Sequence, residues 1–150
     1  MDEGNKMSVN GKVEWNQAYS VGIRLVDQQH KKLFELVNKL YDLEENDNIK
    51  EQMREILYAF RDYTIVHFKE EEDYMLDIGY PDLEDHKIIH KNIIYSLSQI
   101  LQTPASLSII KTKMRVVAKR VLVEHIVHED QKIGAFAKEH QTGEKIFTLN

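Results

Sequence analysis

Two pairs of residues spaced four apart carry the chemistry of this chain: His67 with Glu71 in the stretch HFKEEEDYM, and His86 with His90 in GYPDLEDHKIIH. Four residues turn an α-helix through ~400°, so each pair leaves one face of its helix with its members ~6 Å apart along the axis. Both pairs fall where an apolar stripe should continue, and so do His30 and His125. Five imidazoles and a carboxylate therefore aim at one interior. Left unpartnered there, each neutral group would cost on the order of 1–3 kcal/mol, and a charge more. A buried metal supplies a partner for all of them. Imidazole with carboxylate suits iron, zinc or copper better than magnesium or calcium, and five imidazoles exceed what one ion takes, so two ions are expected. None of the 7 histidines follows a glutamate by three residues and no H-E-x-x-H occurs. This is neither the usual E-x-x-H di-iron pattern nor the zinc-protease one.

The elements that must position these groups read as helices. A first is expected from about Val21 to Leu43, with Val26, His30, Leu33, Phe34, Val37, Leu40 and Tyr41 on one face. A second runs from Ile49 to Ile78 with Met53, Leu57, Phe60, Thr64, His67, Phe68, Glu71 and Met75 facing inward, and stops at Gly79, a left-handed C-cap, with Pro81 behind it. Asp82 is placed to cap the third, Leu83 to Leu101. The fourth begins near Pro104 with Thr103 as its cap, and carries Ile110, Met114, Val117, Val121, Leu122 and His125 together. The expected fold is all-α: an up-down-up-down antiparallel four-helix bundle with an N-terminal arm and a short C-terminal extension. Residues 1–150 read as a single domain, with arm 1–20, helical bundle 21–138 and tail 139–150; Gly134 and Gly143 weaken any helix towards the C-terminus, although AFAKEH can extend the fourth helix by a turn or two beyond Gly134.

Composition narrows the partners. The net charge is −5 with basic residues scattered, which argues against binding a nucleic-acid backbone. No cysteine occurs, which removes disulfides and thiolate sites. No apolar run approaches the ~20 residues of a membrane span, and the opening residues do not resemble a secretory signal, so a cytoplasmic location is expected.

The motifs resemble a known family. VEW near the start, GIRLVDQQHKKLF around His30, HFKEEEDYM, GYPDLEDHKIIH and EHIVHED together are similar to the bacterial hemerythrins, oxygen-binding non-haem di-iron four-helix proteins. The match spans Trp15 to Asp130. The resemblance implies that His86, His90 and His125 bind one iron, His30 and His67 the other, and that Glu71 and Asp130 bridge them beside an oxo or hydroxo group. One position of two octahedra then stays open, on the ion with two histidines, where the family takes O2. Spacing alone does not select Asp130: on an ideal helix it lies ~140° from His125, whereas Glu129 lies ~40° away. Either a local π-type turn or an adjusted backbone must bring it in.

Phe68, Leu122 and Val121 are the expected apolar lining of the O2 pocket. Val121 stands where family members often carry a tryptophan, and the smaller residue should open that pocket to water and speed oxidation. The implied function is reversible O2 binding for carriage, storage or delivery, a binding role rather than an enzymatic one. The alternatives are a di-iron enzyme handling peroxide or nitric oxide, and an O2 or redox sensor acting through a partner protein. A monomer or weak oligomer is expected, with an oxygen-using protein as a conceivable partner. His128 reads as either a donor behind the centre or a solvated neighbour, and His140 as exposed. Glu70, Glu72 and Asp73 read as a solvated face, and Asp27 and Gln28 as an exposed helix start in preference to groups that orient the first ligand.

Overall fold

Four helical rods form around the apolar stripes: α1 (Arg24–Tyr41), α2 (Ile49–Ile78), α3 (Leu83–Gln102) and α4 (Leu107–Ala118), in a computed structural model that describes residues 12–140. Each rod packs against the next, and α4 closes back onto α1. The result is the antiparallel four-helix bundle expected from the periodicity, with no strand among the described residues. The stripe residues become its core: Leu33, Val37, Leu40, Phe60, Met75, Ile93, Met114 and Leu122 are all buried. At 30 residues α2 is ~45 Å long, enough to carry Met53 at one end of the bundle and His67 and Glu71 deep inside it. Gly79 ends it with φ +71°, as its place before Pro81 requires.

Three boundaries differ from the sequence reading. The fourth helix starts at Leu107 rather than Pro104, because Ser106 caps it by accepting from the Ile109 N–H at 3.3 Å. Thr103 belongs to the preceding helix, where its hydroxyl donates to the Gln99 carbonyl at 2.9 Å. The third difference is in the winding of the C-terminal part of the fourth rod. Beyond Ala118 the helix continues through two π segments, Lys119–Glu124 and Ile126–Asp130, into α5 (Gln131–His140). Gly134 does not end it. The glycine is needed because the N-terminal arm lies against α5: a Cβ there would fall 1.7 Å from the Val21 carbonyl oxygen.

That arm is tied down at several points. Val13 and Asn38 exchange two hydrogen bonds, at 2.9 and 2.7 Å. The Lys31 ammonium sits 4.4 Å over the Trp15 ring, and the Gln131 amide donates to the Ala18 carbonyl at 2.7 Å. Asp27 is buried rather than exposed at a helix start. It accepts from the Val21 N–H at 2.9 Å and the Ser20 hydroxyl at 2.5 Å, which fixes the entry of α1 one turn before His30. Residues 1–11 of the arm and 141–150 of the tail lie outside the described residues.

Candidate metal centre

The five stripe histidines, with Glu71 and Asp130, meet at one level of the bundle, every one of them buried. α1 brings His30, α2 brings His67 and Glu71, α3 brings His86 and His90, and the π-wound part of the fourth rod brings His125 and Asp130. They fall into two groups that share both carboxylates: Glu71, Asp130, His86, His90 and His125 in one, and Glu71, Asp130, His30 and His67 in the other.

The oxygens divide between the groups. Glu71 Oε1 lies 3.1 Å from His86 Nε2 and 3.0 Å from His90 Nε2, while Glu71 Oε2 faces His67 Nε2 at 3.7 Å and His30 Nε2 at 4.0 Å. Asp130 does the same. Its Oδ1 is 3.1 Å from both His86 Nε2 and His125 Nε2, and its Oδ2 is 3.2 Å from His30 Nε2.

The winding of the fourth rod explains how Asp130 arrives. The His125 N–H bonds to the Arg120 carbonyl and the Gln131 N–H to that of Ile126, both i→i−5. Residues five apart are then about one turn apart, so Asp130 returns to the face of His125. Glu129 is left at the surface, where it pairs with Lys132 at 3.8 Å.

Whether a cation suits this cluster can be tested on its orphaned atoms. His30 Nε2, Glu71 Oε2 and both Asp130 oxygens are buried and make no hydrogen bond, although they crowd other donor and acceptor atoms. Lone pairs facing one another in a core repel unless a positive charge lies between them. Cis donors around an octahedral ion with ~2.1 Å bonds stand ~3.0 Å apart, close to the 3.0 and 3.1 Å separations in the three-histidine group. The residues fit a metal pair.

Without metal the charges compensate internally. Burial works against a proton on His86, but its contacts with Asp130 and Glu71 outweigh that and hold it at about 10. His125 is likewise raised by Asp130 against the effect of burial. Burial and the charge of Asp130 push the Glu71 carboxyl up, and the hydrogen bonds from His86 and His90 reverse this to about 2. Asp130 is held well below its usual range by His125, His30 and His86, again against burial. His67 goes the other way, down to about 3, through burial and the neighbouring His30.

Around the ring sit partners that sequence reasoning missed. His67 Nδ1 donates to the Gln29 amide oxygen at 2.6 Å, and the Gln29 NH2 donates to Glu70 at 2.7 Å. His90 Nδ1 donates to Glu72 Oε2 at 2.7 Å. The solvated-face reading of Glu70 and Glu72 is therefore corrected, and Gln29 rather than its exposed neighbour Gln28 touches a histidine. These contacts cross between helices, so no spacing along one helix signals them. Phe68 stacks on His90 at 3.6 Å with the rings 3° from parallel, and Val121 and Leu122 are buried one turn before His125. His128 is exposed at the rim of a groove of about 330 Å³ that reaches His125, and His140 is exposed and stacks on Phe136.

The model of the hemerythrin HHE cation binding domain matches residues 21–137. The chain belongs to the hemerythrin family. Hemerythrins bind non-haem iron, and the His, Glu and Asp cluster is where this member can hold a metal. Among curated relatives it is similar to the bacteriohemerythrin of Stenotrophomonas maltophilia, 29% identical over 86% of this chain and 89% of that one. The bacteriohemerythrin of Campylobacter jejuni is 31% identical over 77% and 87%. That of Clostridium acetobutylicum is 37% identical, over 53% of this chain and 64% of the relative. A crystal structure of wild-type hemerythrin superposes with a TM-score of 0.70 at 28% identity, covering 82% of this chain and 95% of the other. No described helix of this hemerythrin is long and apolar enough to cross a membrane.

Proposed function

We propose that the chain binds O2 reversibly at a di-iron centre and serves oxygen carriage, storage or delivery in the cytoplasm. One observation carries the reading: each of two buried carboxylates turns one oxygen to the His86, His90 and His125 side and the other to the His30 side, the arrangement that two bridged ions need. His86, His90 and His125 hold one iron, His30 and His67 the second, and Glu71 and Asp130 join them. Two iron ions held there would supply, when bound, the pair of electrons that reversible O2 binding requires, with an oxo or hydroxo group as the expected companion ligand.

The chain's own residues set the conditions for this. The side with three histidines offers more protein donors than the side with two, so an open coordination position would fall on the ion held by His30 and His67. Phe68 and Leu122 supply buried apolar lining beside the histidines, and the small Val121 leaves that lining more open to water than a larger side chain would. Five imidazoles against two carboxylates make the donor set poorer in carboxylate than oxidising di-iron sites usually are, which supports binding over oxidation. The test is stopped-flow absorption of the ferrous protein mixed with O2. Reversible carriage gives a visible band that bleaches under vacuum with recovery of the ferrous form. Immediate conversion to the ferric form, with peroxide consumed in repeated turnovers, would replace carriage with an enzyme.

A further inference from the structure

Each imidazole proposed to bind metal has a second ring nitrogen facing away from the centre, and the groups that meet those nitrogens differ. His67 Nδ1 donates to a neutral amide, that of Gln29. The Nδ1 atoms of His30 and His125 are buried without a hydrogen-bond partner. His90 is held by a carboxylate, Glu72 Oε2, at 2.7 Å. Because His90 Nε2 lies 3.0 Å from Glu71 Oε1, two consecutive glutamates of α2 address the two nitrogens of one ring on α3.

The surroundings of His90 leave a specific task to Glu72. Phe68, stacked at 3.6 Å, fixes the plane of the ring but neither its rotation within that plane nor the nitrogen that carries the proton. A carboxylate oxygen only accepts, so the Glu72 contact demands a proton on Nδ1 and leaves Nε2, the nitrogen that faces Glu71, as the one whose lone pair a metal would take. It also raises the electron density of the ring, as an anionic partner behind a metal-bound imidazole does. Glu72 is not an ordinary surface acid. Its side chain is 21% exposed, against 55% for the adjacent Asp73, which pairs with Lys69 instead. It stands on the wall of a groove of about 380 Å³ that runs from Lys69 and Lys91 inward to Phe68 and His90.

We propose that Glu72 is a positioning residue for His90: it sets the tautomer and in-plane orientation of that ring and thereby strengthens metal binding on the three-histidine side. The inference rests on the dinuclear reading above, and its test separates the two. Metal-free protein is titrated with Co2+ under argon, followed by visible absorption, and two equivalents are expected to bind in resolvable steps. Glu72→Ala should weaken one step by about 10–100-fold and leave the other unchanged. Glu72→Gln, whose amide oxygen can still accept, should recover part of the loss. Asp73→Asn removes a carboxylate from the same helix that touches no histidine, and should bind as wild type. In the zinc-loaded protein, 15N spectra should show the His90 proton on Nδ1. Wild-type affinity for both equivalents in Glu72→Ala, equal weakening by Asp73→Asn, or a His90 proton on Nε2 would each overturn the role of Glu72. A wild-type protein that saturates at one equivalent would instead remove the dinuclear centre itself, and the inference with it.

Discussion

Asp130 and Glu129 are adjacent acids, and the π winding of the fourth rod predicts opposite consequences for removing their charges. Asp130→Asn and Glu129→Gln are near-isosteric and each deletes one negative charge, so only location distinguishes them. Asp130 is 1% exposed and lies within 3.2 Å of ring nitrogens of His30, His86 and His125. In the metal-free protein its loss strips a counter-charge from His86 and His125, whose protonated forms it favours, and breaking a buried pair from one side costs on the order of 3–5 kcal/mol. At ~2–4 °C per kcal/mol for a domain of this size, the melting temperature should fall by roughly 6–20 °C. Metal binding should weaken by more than the ~10–100-fold typical of losing an outer partner, since both ions lose a donor. Glu129 pairs with Lys132 at 3.8 Å, with side chains 32% and 61% exposed. A pair of that kind contributes ~0–1 kcal/mol, so Glu129→Gln should melt within about 4 °C of wild type and keep its full metal content. The assays are thermal unfolding of the metal-free proteins and metal analysis after loading and dialysis. Full metal retention in Asp130→Asn, or a larger loss in Glu129→Gln, would refute the register argued from the i→i−5 bonds.

Gly134→Ala should lower the melting temperature by several degrees: helix propensity favours alanine by ~1 kcal/mol, but the added Cβ would fall 1.7 Å from the Val21 carbonyl, and overpacking costs ~1–3 kcal/mol. An unchanged or higher value would show that the arm does not press on α5. Metal loading at pH 7 should release protons, because His86 sits at about 10 without metal and His125 is also raised; calorimetry in two buffers of different ionisation enthalpy should count at least one, and affinity should grow as pH rises. The metal-free protein should be most stable near pH 6.5. His86 contributes stability that is present below its unfolded value and lost as pH rises through about 10, whereas buried neutral His67 contributes above its unfolded value and loses this as pH falls toward about 3; a urea midpoint that is flat from pH 4 to 10 would contradict both. Val121→Trp should slow oxidation of the oxygenated protein by closing the lining beside the centre, at ~1–3 kcal/mol of packing strain; an unchanged half-time in air would remove Val121 from that lining.

Much of the fold was legible because helices advertise themselves through period. The bounds of α2 were readable to the residue from its stripe and from Gly79 before Pro81, and the histidines stood out because each replaced an apolar side chain on such a stripe. At the C-terminal end the extension through AFAKEH was legible, but the role of Gly134 was not. Gly134 weakens a helix by propensity, and the reason for it, the backbone of Val21 pressed against α5, lies more than a hundred residues away in the chain. Likewise Glu72 looked like one more acid in KEEED, because its partner His90 belongs to the next helix and the contact depends on how the two rods are rotated.

The linear order of residues determined by itself which groups could bind metal and that four amphipathic rods would bring them inward, since donor chemistry and helical period are local properties. Helical spacing did not select Asp130, which only the resemblance of EHIVHED named; how it reaches the ring, which oxygen faces which histidine, and what stands behind each imidazole were decided by tertiary structure. The physical reason is that these are matters of relative rotation: one extra residue per turn between His125 and Asp130 moves a carboxylate from the surface to the core, and no helical period written into the sequence records that step.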